Sequence, residues 1–214
     1  MKTTIVDKHL ENGVQIIDPL NTYIDDDVEI EAGVILHPGT ILSGKCHIGK
    51  GAVIGPYTQM NNTVIGSRTV VRNSVVESAR VGEDCQVGPF AYLREGTVIG
   101  DKCRVGNFVE IKNSIIGDGS KAAHLTYIGD AQVGDGVNFG CGVVTVNYDG
   151  VNKHRTLVGD KAFIGSNVNL VAPVSIGDGA YVAAGSTIIK DVPADALAIS
   201  RVREQTIKES WASK

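Results

Sequence analysis

The sequence predicts an all-β fold, a parallel β-helix built from six-residue repeats. Branched aliphatic residues recur at every sixth position, whereas an amphipathic helix needs spacings of three and four and a half-buried strand a spacing of two. Glycine often follows the aliphatic residue, and the chain has 26 glycines but only 5% aromatic residues. A sustained six-residue period is the signature of a parallel solenoid. If three repeats form one triangular coil, residues eighteen apart stack at the strand spacing of about 4.8 Å.

The period is visible in three stretches of the chain. Their aliphatic positions are Ile24, Ile30, Leu36, Leu42, Ile48 and Ile54, then Val75, Val81, Val87, Leu93, Ile99, Val105 and Ile111, and finally Val158, Ile164, Leu170, Ile176, Val182 and Ile188. Cys46, Cys85 and Cys103 each lie four residues after such a position, where a small side chain points inward. We therefore expect reduced cysteines in the core and no disulfide framework.

Three regions depart from the period and define the expected organisation. Residues 1–14 precede it and should form a linker with a short helix, and residues 15–193 should form the β-helix. The polar, glycine-containing segment 145–156 should protrude as a loop. After Pro193 the chain leaves the period, so residues 194–214 should form a tail or a short C-terminal helix.

Charge and composition exclude several classes of function. The formal net charge is −4, so no overall positive field recruits nucleic acid, and any anion must be bound by a local cluster. No apolar run reaches membrane-spanning length, and the first residues contain no signal-peptide core. The four cysteines and five histidines show no spacing typical of a metal site. We expect a cytoplasmic protein that binds neither nucleic acid nor membrane and requires no metal.

Stacking of the coils places two cations side by side. Arg94 and Lys112 are eighteen residues apart, and each directly follows its aliphatic residue, where glycine usually stands. At about 5 Å and an effective dielectric constant of about 20, their repulsion is roughly 3 kcal/mol before screening by solvent. The pair could splay apart as solvated surface cations. An anion between them would instead be attracted by both, so we favour a phosphate site.

Two further patterns suggest a ligand groove and a proton acceptor. Ser166 and Ala184 are also eighteen apart, and stacked small side chains would leave a shallow groove for an extended ligand, which Arg201 could close. In the segment SKAAHLTYIGDA, a one-residue slip frees His124 and Tyr127 from the packed interior. Histidine is the side chain best suited to accept a proton near neutral pH, although a lone histidine is more often structural.

The motifs HLTYIGDA and NYDGVNK, with FIGSNVNLVAPV and ALAISRVR further along, resemble one family of the hexapeptide-repeat acyltransferases. This family is the acetyltransferase domain of the bacterial bifunctional N-acetylglucosamine-1-phosphate uridyltransferase/glucosamine-1-phosphate acetyltransferase. The resemblance covers nearly the whole chain and is densest from Tyr92 to Arg201. It implies a left-handed β-helix and a homotrimer with active sites between subunits. Parallel connections are usually right-handed, so the handedness comes from the family alone.

The resemblance also implies an activity and a set of site residues. The enzyme would transfer the acetyl group of acetyl-CoA to the amine of glucosamine 1-phosphate, in the pathway to UDP-N-acetylglucosamine and peptidoglycan. His124 would be the general base, oriented by Glu110. The residues implied to bind the sugar phosphate, with Lys153 reaching from a neighbouring subunit, are Arg94, Lys112, Tyr127, Asn138 and Lys153. The residues implied to line the coenzyme A side are Cys141, Asn147, Tyr148, Ser166, Ala184 and Arg201.

The sequence departs from the family in two ways. The uridyltransferase half, with its glycine-rich nucleotide loop, is absent from this sequence. We therefore expect no sugar-nucleotide synthesis by this chain and a separate uridyltransferase as its pathway partner. Cys141 stands where many relatives carry alanine, so a covalent acetyl-cysteine route has to be weighed against direct transfer.

Three other functions stay open at this point. The same chemistry could act on another amino-sugar phosphate, such as galactosamine 1-phosphate. A zinc-dependent hydratase would need several histidines that converge on the metal, and the five histidines show no matching cluster. A non-catalytic trimeric scaffold would need only the repeat, without the combination of Arg94, Lys112, His124 and Lys153.

Overall fold

The computed structural model, which describes residues 4–202, consists almost entirely of short parallel strands. The chain visits three sheets in turn, so that each sheet contains every third strand in sequence order. The result is an all-β solenoid of about ten turns, and the prediction of a left-handed parallel β-helix is confirmed. Among the described residues, no helix is both long enough and apolar enough to span a membrane.

The strands of each sheet follow in chain order. Sheet 1 contains Gln15–Ile16, Ile35–Leu36, Val53–Ile54, Val70–Val71, Gln86–Val87, Arg104–Asn107, Lys121–His124, Asn138–Phe139, Phe163–Ile164, Tyr181–Val182 and Leu197–Ala198. Sheet 2 contains Tyr23–Ile24, Ile41–Ser43, Gln59–Asn61, Val75–Glu77, Tyr92–Leu93, Glu110–Lys112, Tyr127–Gly129, Val144–Val146, Asn169–Val171 and Thr187–Ile188. Sheet 3 contains Glu29–Ile30, His47–Ile48, Val64–Ile65, Arg80–Val81, Val98–Ile99, Ile115–Ile116, Ala131–Val133, Thr156–Val158 and Val174–Ile176.

Inward-pointing side chains from the three sheets form one core. The aliphatic residues expected from the six-residue period are buried, except Val75. Cys46, Cys85 and Cys103 are buried in the same core and are not in disulfides, as expected from their spacing. Their slot accepts only a small side chain, because larger ones already fill the neighbouring positions of a close-packed interior.

The prediction of Val75 as a core residue is wrong, because Val76 is the buried residue. Inward residues here are five apart, at Val71, Val76 and Val81, instead of six. The corners on either side of Val76 contain Asn73 and Ser78, with φ of 43° and 47°. Each of these corners has one residue fewer than the six-residue repeat requires, and this shifts the phase of the buried positions.

Helical structure is confined to the beginning of the described chain. A helix spans Ile5–Glu11 and a 3₁₀ turn spans Pro19–Asn21. Thr4 caps the helix, because its hydroxyl accepts the N–H of Asp7 while the Asp7 carboxylate accepts the N–H of Thr4. This helix lies within the segment 1–14, where a short helix was expected.

The stacking continues beyond Pro193, where the sequence suggested that it ends. The strand Leu197–Ala198 pairs with Tyr181–Val182 and adds an eleventh strand to sheet 1. Ala198 packs against the core, which stabilises this last turn even though the six-residue period is lost. The rest of the expected C-terminal tail or helix, from residue 203 onward, lies outside the described residues.

A row of aspartates, called the aspartate ladder below, follows sheet 3 along one corner. Each carboxylate accepts the backbone N–H of a residue on the coil before it, at 2.8–2.9 Å. The ladder consists of Asp101, Asp118, Asp135, Asp160 and Asp178. Hydrogen bonds of a backbone N–H to an ionised oxygen are among the stronger ones in proteins, so the ladder ties consecutive coils together.

Candidate active site

The outer face of sheet 2 carries the two stacked cations expected from the sequence. Leu93 pairs with Ile111 in the sheet, and the N–H of Arg94 donates to the carbonyl of Ile111 at 2.9 Å. Arg94 and Lys112 therefore leave adjacent coils on the same face. Arg94 Nη1 also donates to Glu110 Oε1 at 2.7 Å, and this hydrogen bond raises the pKa of Arg94.

A third cation, Lys153, lies beside Lys112 in the same chain. Its side chain is the main reason why the pKa of Lys112 is below its usual value, with burial as a smaller cause. Neighbouring positive charges disfavour protonation in this way. The resemblance implies that Lys153 reaches the site of a neighbouring subunit; within this single chain, Lys153 lies near Lys112 and Arg94.

A buried carboxylate, Asp130, lies next to these lysines. It accepts hydrogen bonds from the side-chain amides of Asn113 and Asn147. Burial opposes its ionisation, but these hydrogen bonds and the charges of Lys112 and Lys153 outweigh that effect, so the pKa of Asp130 is lowered. The carboxylate is therefore ionised near neutral pH, where it offsets part of the positive charge and fixes the orientation of both amides.

The Tyr127 side chain lies over Gly129 on the same face. Lys112 and Gly129 are partners in adjacent strands of sheet 2. A Cβ at residue 129 would collide with the phenol oxygen of Tyr127 and would come within 2.9 Å of Asn147 Nδ2. The glycine thus allows Tyr127 and Asn147 to pack against the backbone beside the lysines.

Residues 147–154 form a protruding hairpin, called the arm below, within the segment 145–156 that was expected to be a loop. Tyr148 and Lys153 form an antiparallel bridge across it, and the N–H of His154 donates to the carbonyl of Asn147 at 2.7 Å. Asn147 at its base is buried, whereas Val151 at its tip is 82% exposed. Lys153 thus lies on the returning strand of the arm, which places it beside Arg94 and Lys112.

A different set of candidates lines the corner between sheets 1 and 2, called the small-residue corner below. The backbone ladder of this corner joins the turns at His124, Cys141, Ser166 and Ala184 through hydrogen bonds between successive coils. At its end, Arg201 Nη1 donates to the carbonyl of Ala184 at 2.9 Å. Ser166 and Ala184 are exposed, and Cys141 is a half-buried free thiol.

Within residues 4–202, the members of two expected groupings lie on different sheets. Glu110 belongs to sheet 2 and pairs with Arg94, whereas His124 ends a strand of sheet 1, and no hydrogen bond joins them in residues 4–202. Asn138 lies on the outer face of sheet 1, separated from Tyr127 on sheet 2 by the corner. His124 itself is exposed and lies three residues before Tyr127 on the other side of that corner.

Sequence reasoning missed two residues, Asp130 and Asp149. Aspartate after glycine is common along this chain, where it usually belongs to the aspartate ladder, so nothing in the pattern sets Asp130 apart. Asp149 precedes a glycine, a pair typical of tight turns. The roles of both become visible only from the hydrogen bonds that their side chains accept.

Two family models match parts of the chain. A model described as the GMPPB C-terminal domain matches residues 19–105, and a model of the bacterial transferase hexapeptide (six repeats) matches residues 155–190. Among solved structures, a UDP-N-acetylglucosamine acyltransferase of Francisella novicida aligns with 87% of this chain and 67% of its own, at 19% identity and a TM-score of 0.41. Its counterpart from Arabidopsis aligns with 88% of this chain and 70% of its own, at 17% identity and a TM-score of 0.43.

Curated relatives match the chain from end to end. The bifunctional protein GlmU of Clostridium acetobutylicum and that of Brevibacillus brevis are each 54% identical to it over 214 residues. The matches cover 100% of this chain but 47% and 46% of those proteins, so the chain spans about half the length of the curated relatives it matches. Along its whole length, the chain is homologous to the C-terminal, hexapeptide-repeat half of the GlmU proteins.

Proposed function

We propose that this chain acetylates the amine of glucosamine 1-phosphate with acetyl-CoA as the donor. The observation that carries the proposal is the cluster of Arg94, Lys112 and Lys153 on the face that also carries Tyr127. Three cations on one polar face favour a phosphate, and the Tyr127 hydroxyl on that face can hydrogen-bond a sugar hydroxyl. The identity to GlmU proteins along the whole chain supports the same activity.

In this proposal, the phosphate is held by the cation cluster and the sugar lies along the outer face of sheet 2. Lys112 and Lys153 repel each other, and this repulsion is the main reason why the pKa of Lys112 is lowered. A dianionic phosphate between them removes that penalty, because each ammonium then faces a negative oxygen. Tyr127 would hold the sugar from sheet 2, whereas Asn138, on the outer face of sheet 1, would reach a sugar only in the site of a neighbouring subunit. Asp130 would keep the Asn147 amide in place.

His124 would act as the general base. The substrate amine is mainly protonated near neutral pH and has to lose a proton before its nitrogen can attack the thioester carbon. An imidazole nitrogen of His124 accepts that proton, the new C–N bond forms, and the C–S bond breaks with coenzyme A as the leaving group. Glu110 contributes to this region through its ion pair with Arg94.

Acetyl-CoA would lie along the small-residue corner. Ser166 and Ala184 present short side chains there, so an extended pantetheine arm can approach the backbone closely. Cys141, Asn147 and Tyr148 would contact the end of the pantetheine chain that carries the thioester. Arg201, bonded to the Ala184 carbonyl, is suited to the phosphates at the other end.

The assembly that fits this site is a homotrimer with composite sites. The cation cluster and the small-residue corner lie on different sides of one chain, and a neighbouring copy could close the space between them. Exposed apolar side chains at Tyr57, Phe90, Phe108 and Leu125 support an interface near His124, because large apolar patches on monomers are uncommon. Light scattering should give three times the chain mass of 22.6 kDa.

The activity is tested by thiol release from acetyl-CoA with a panel of acceptors. We expect rapid release with glucosamine 1-phosphate and a kcat/KM at least about 100-fold lower with free glucosamine, which lacks the charged group. Galactosamine 1-phosphate tests the alternative substrate. Equal rates with glucosamine and its phosphate would contradict a phosphate site, and no release with any acceptor would contradict the acetyltransferase.

A further inference from the structure

One carboxylate, that of Asp149, bonds two separate parts of the arm that carries Lys153. Asp149 Oδ1 accepts the backbone N–H groups of Val151 at 2.8 Å and Asn152 at 2.6 Å. Its other oxygen, Oδ2, lies 2.7 Å from Nε2 of His154, on the opposite strand of the arm. One side chain therefore bonds both the turn and the returning strand.

Few other contacts stabilise the outer part of the arm. Val151 at the tip is 82% exposed and Tyr148 is 56% exposed, so neither packs into a core. The other contacts are short-range: the Tyr148 hydroxyl donates to the carbonyl of Gly150 at 2.6 Å, and the N–H of Asp149 donates to the carbonyl of Asn152 at 3.1 Å. Across the arm, Tyr148 and Lys153 form the antiparallel bridge, and the N–H of His154 donates to the carbonyl of Asn147 at 2.7 Å. Polar contacts within an exposed segment of eight residues do not by themselves fix one conformation.

The position of Lys153 needs such a restraint. Its ammonium group lies beside that of Lys112, and in the absence of an anion the two charges repel. A flexible arm would relieve the repulsion by swinging outward, and the phosphate would then have to order the arm when it binds. Ordering a mobile segment on binding weakens affinity.

We propose that Asp149 is a positioning residue that holds Lys153 at the phosphate subsite before the substrate arrives. This inference rests on the proposed function and adds a residue that does not touch the substrate. The same hydrogen bonds from Asn152, His154 and Val151 lower the pKa of Asp149 to about 2, so the carboxylate stays ionised across the assay range. The arm is therefore preformed at neutral pH.

The test is a double-mutant cycle between Asp149 and Lys153, with KM for glucosamine 1-phosphate as the readout. Asp149→Ala should raise this KM about tenfold, the effect of leaving one arm to be ordered by the ligand, while kcat changes less than about threefold. Asp149→Ala combined with Lys153→Ala should be no worse than Lys153→Ala alone, because Asp149 acts only through the lysine.

Two further variants separate positioning from general damage. Asp149→Asn keeps an oxygen for the N–H groups of Val151 and Asn152 but loses the charge that faces His154, so its KM should lie between those of the wild type and Asp149→Ala. Asp26→Ala, at an exposed aspartate on a distant coil, should leave KM unchanged. The melting temperature of each variant should match the wild type, because the arm adds little to the core.

The outcomes distinguish this inference from the proposed function. If Asp149→Ala leaves KM unchanged, or raises it equally with and without Lys153, then Asp149 does not position the lysine. If the wild type fails to acetylate glucosamine 1-phosphate, or Lys153→Ala has a normal KM, then the phosphate subsite itself is wrong. A normal KM for Asp149→Ala together with a raised KM for Lys153→Ala overturns only the positioning role.

Discussion

The outer face of sheet 2 and the small-residue corner are built from the same repeat, yet they offer a ligand opposite chemistry. On sheet 2, Arg94 and Lys112 replace the usual glycine on two adjacent coils, and Asp130 adds a buried charge. At the corner, Ser166 and Ala184 occupy adjacent coils with short side chains that expose the backbone. In both places, stacking of the coils brings two residues that are eighteen apart in sequence side by side.

The difference shows how a regular scaffold obtains two kinds of binding surface. Stacked charges repel until an anion arrives, so the sheet 2 face should select for charge. Stacked small residues have no such preference and select only for a thin shape. The two surfaces should therefore fail in different ways when altered: the first should lose affinity for the sugar phosphate, and the second should lose affinity for acetyl-CoA.

The largest effect is expected at His124, which lies at the small-residue corner. His124→Ala should lower kcat at least about 100-fold, because a positioned base contributes about 10²- to 10⁴-fold, and should leave KM for acetyl-CoA nearly unchanged. The loss should shrink at higher pH, where more of the amine is already deprotonated. His47→Ala, a histidine paired with Glu29 on sheet 3, serves as the control. Near-normal turnover in His124→Ala would show that His124 is not the general base.

Charge on the sheet 2 face is tested by Lys112→Ala. Loss of one charged hydrogen bond costs about 2–3 kcal/mol, so KM for glucosamine 1-phosphate should rise roughly 30- to 150-fold. KM for acetyl-CoA should stay within about twofold. The exposed Lys50→Ala provides a control for loss of a positive charge elsewhere. If both KM values rise together, the two surfaces are not separate.

Shape at the small-residue corner is tested by Ala184→Leu. The added atoms should block an extended ligand that lies against the backbone, and overfilling of a close contact costs about 1–3 kcal/mol. We expect KM for acetyl-CoA to rise about tenfold with no change in KM for the sugar phosphate. Ala32→Leu, at an exposed corner far along the solenoid, should be neutral. An unchanged KM for acetyl-CoA would show that acetyl-CoA does not bind at this corner.

The smallest effect is expected at Cys141. Direct transfer implies that Cys141→Ala keeps kcat within about threefold of the wild type and that no acetyl-enzyme forms from acetyl-CoA alone. Intact-mass spectrometry of the protein incubated with acetyl-CoA checks the second point. A stoichiometric acetyl adduct on Cys141 that disappears when the sugar is added, with an inactive alanine variant, would replace direct transfer by a two-step route.

The periodic part of the molecule could be predicted from the sequence because stacking follows directly from spacing. The adjacency of Arg94 and Lys112 needs only the number of residues per coil and the strand spacing. The same reasoning fails where corners tighten, as at Val76, since the six-residue count assumes that every corner has the same length. Local backbone conformation decides that length, and several residue types can adopt it.

The parts of the site that interrupt the repeat could not be predicted in the same way. Lys153 reaches the cluster through the arm, and a hairpin has no relation to the period of the coils. Asp130 and Asp149 are ordinary by type and spacing, and their partners are set by three-dimensional contacts. The resemblance to a family supplied residue roles, but it did not reveal which side chains hold the lysine in place.

The aspartate ladder gives the solenoid a direction. Each rung is a carboxylate on one coil that accepts an N–H from the coil before it, as Asp118 accepts from Asp101 and Asp135 from Asp118. A coil at the growing end of a nascent chain therefore has an unfilled donor, and the next coil to leave the ribosome brings its acceptor. Because solenoids fold by propagation between neighbouring repeats, the coils can close one after another in the order of their synthesis.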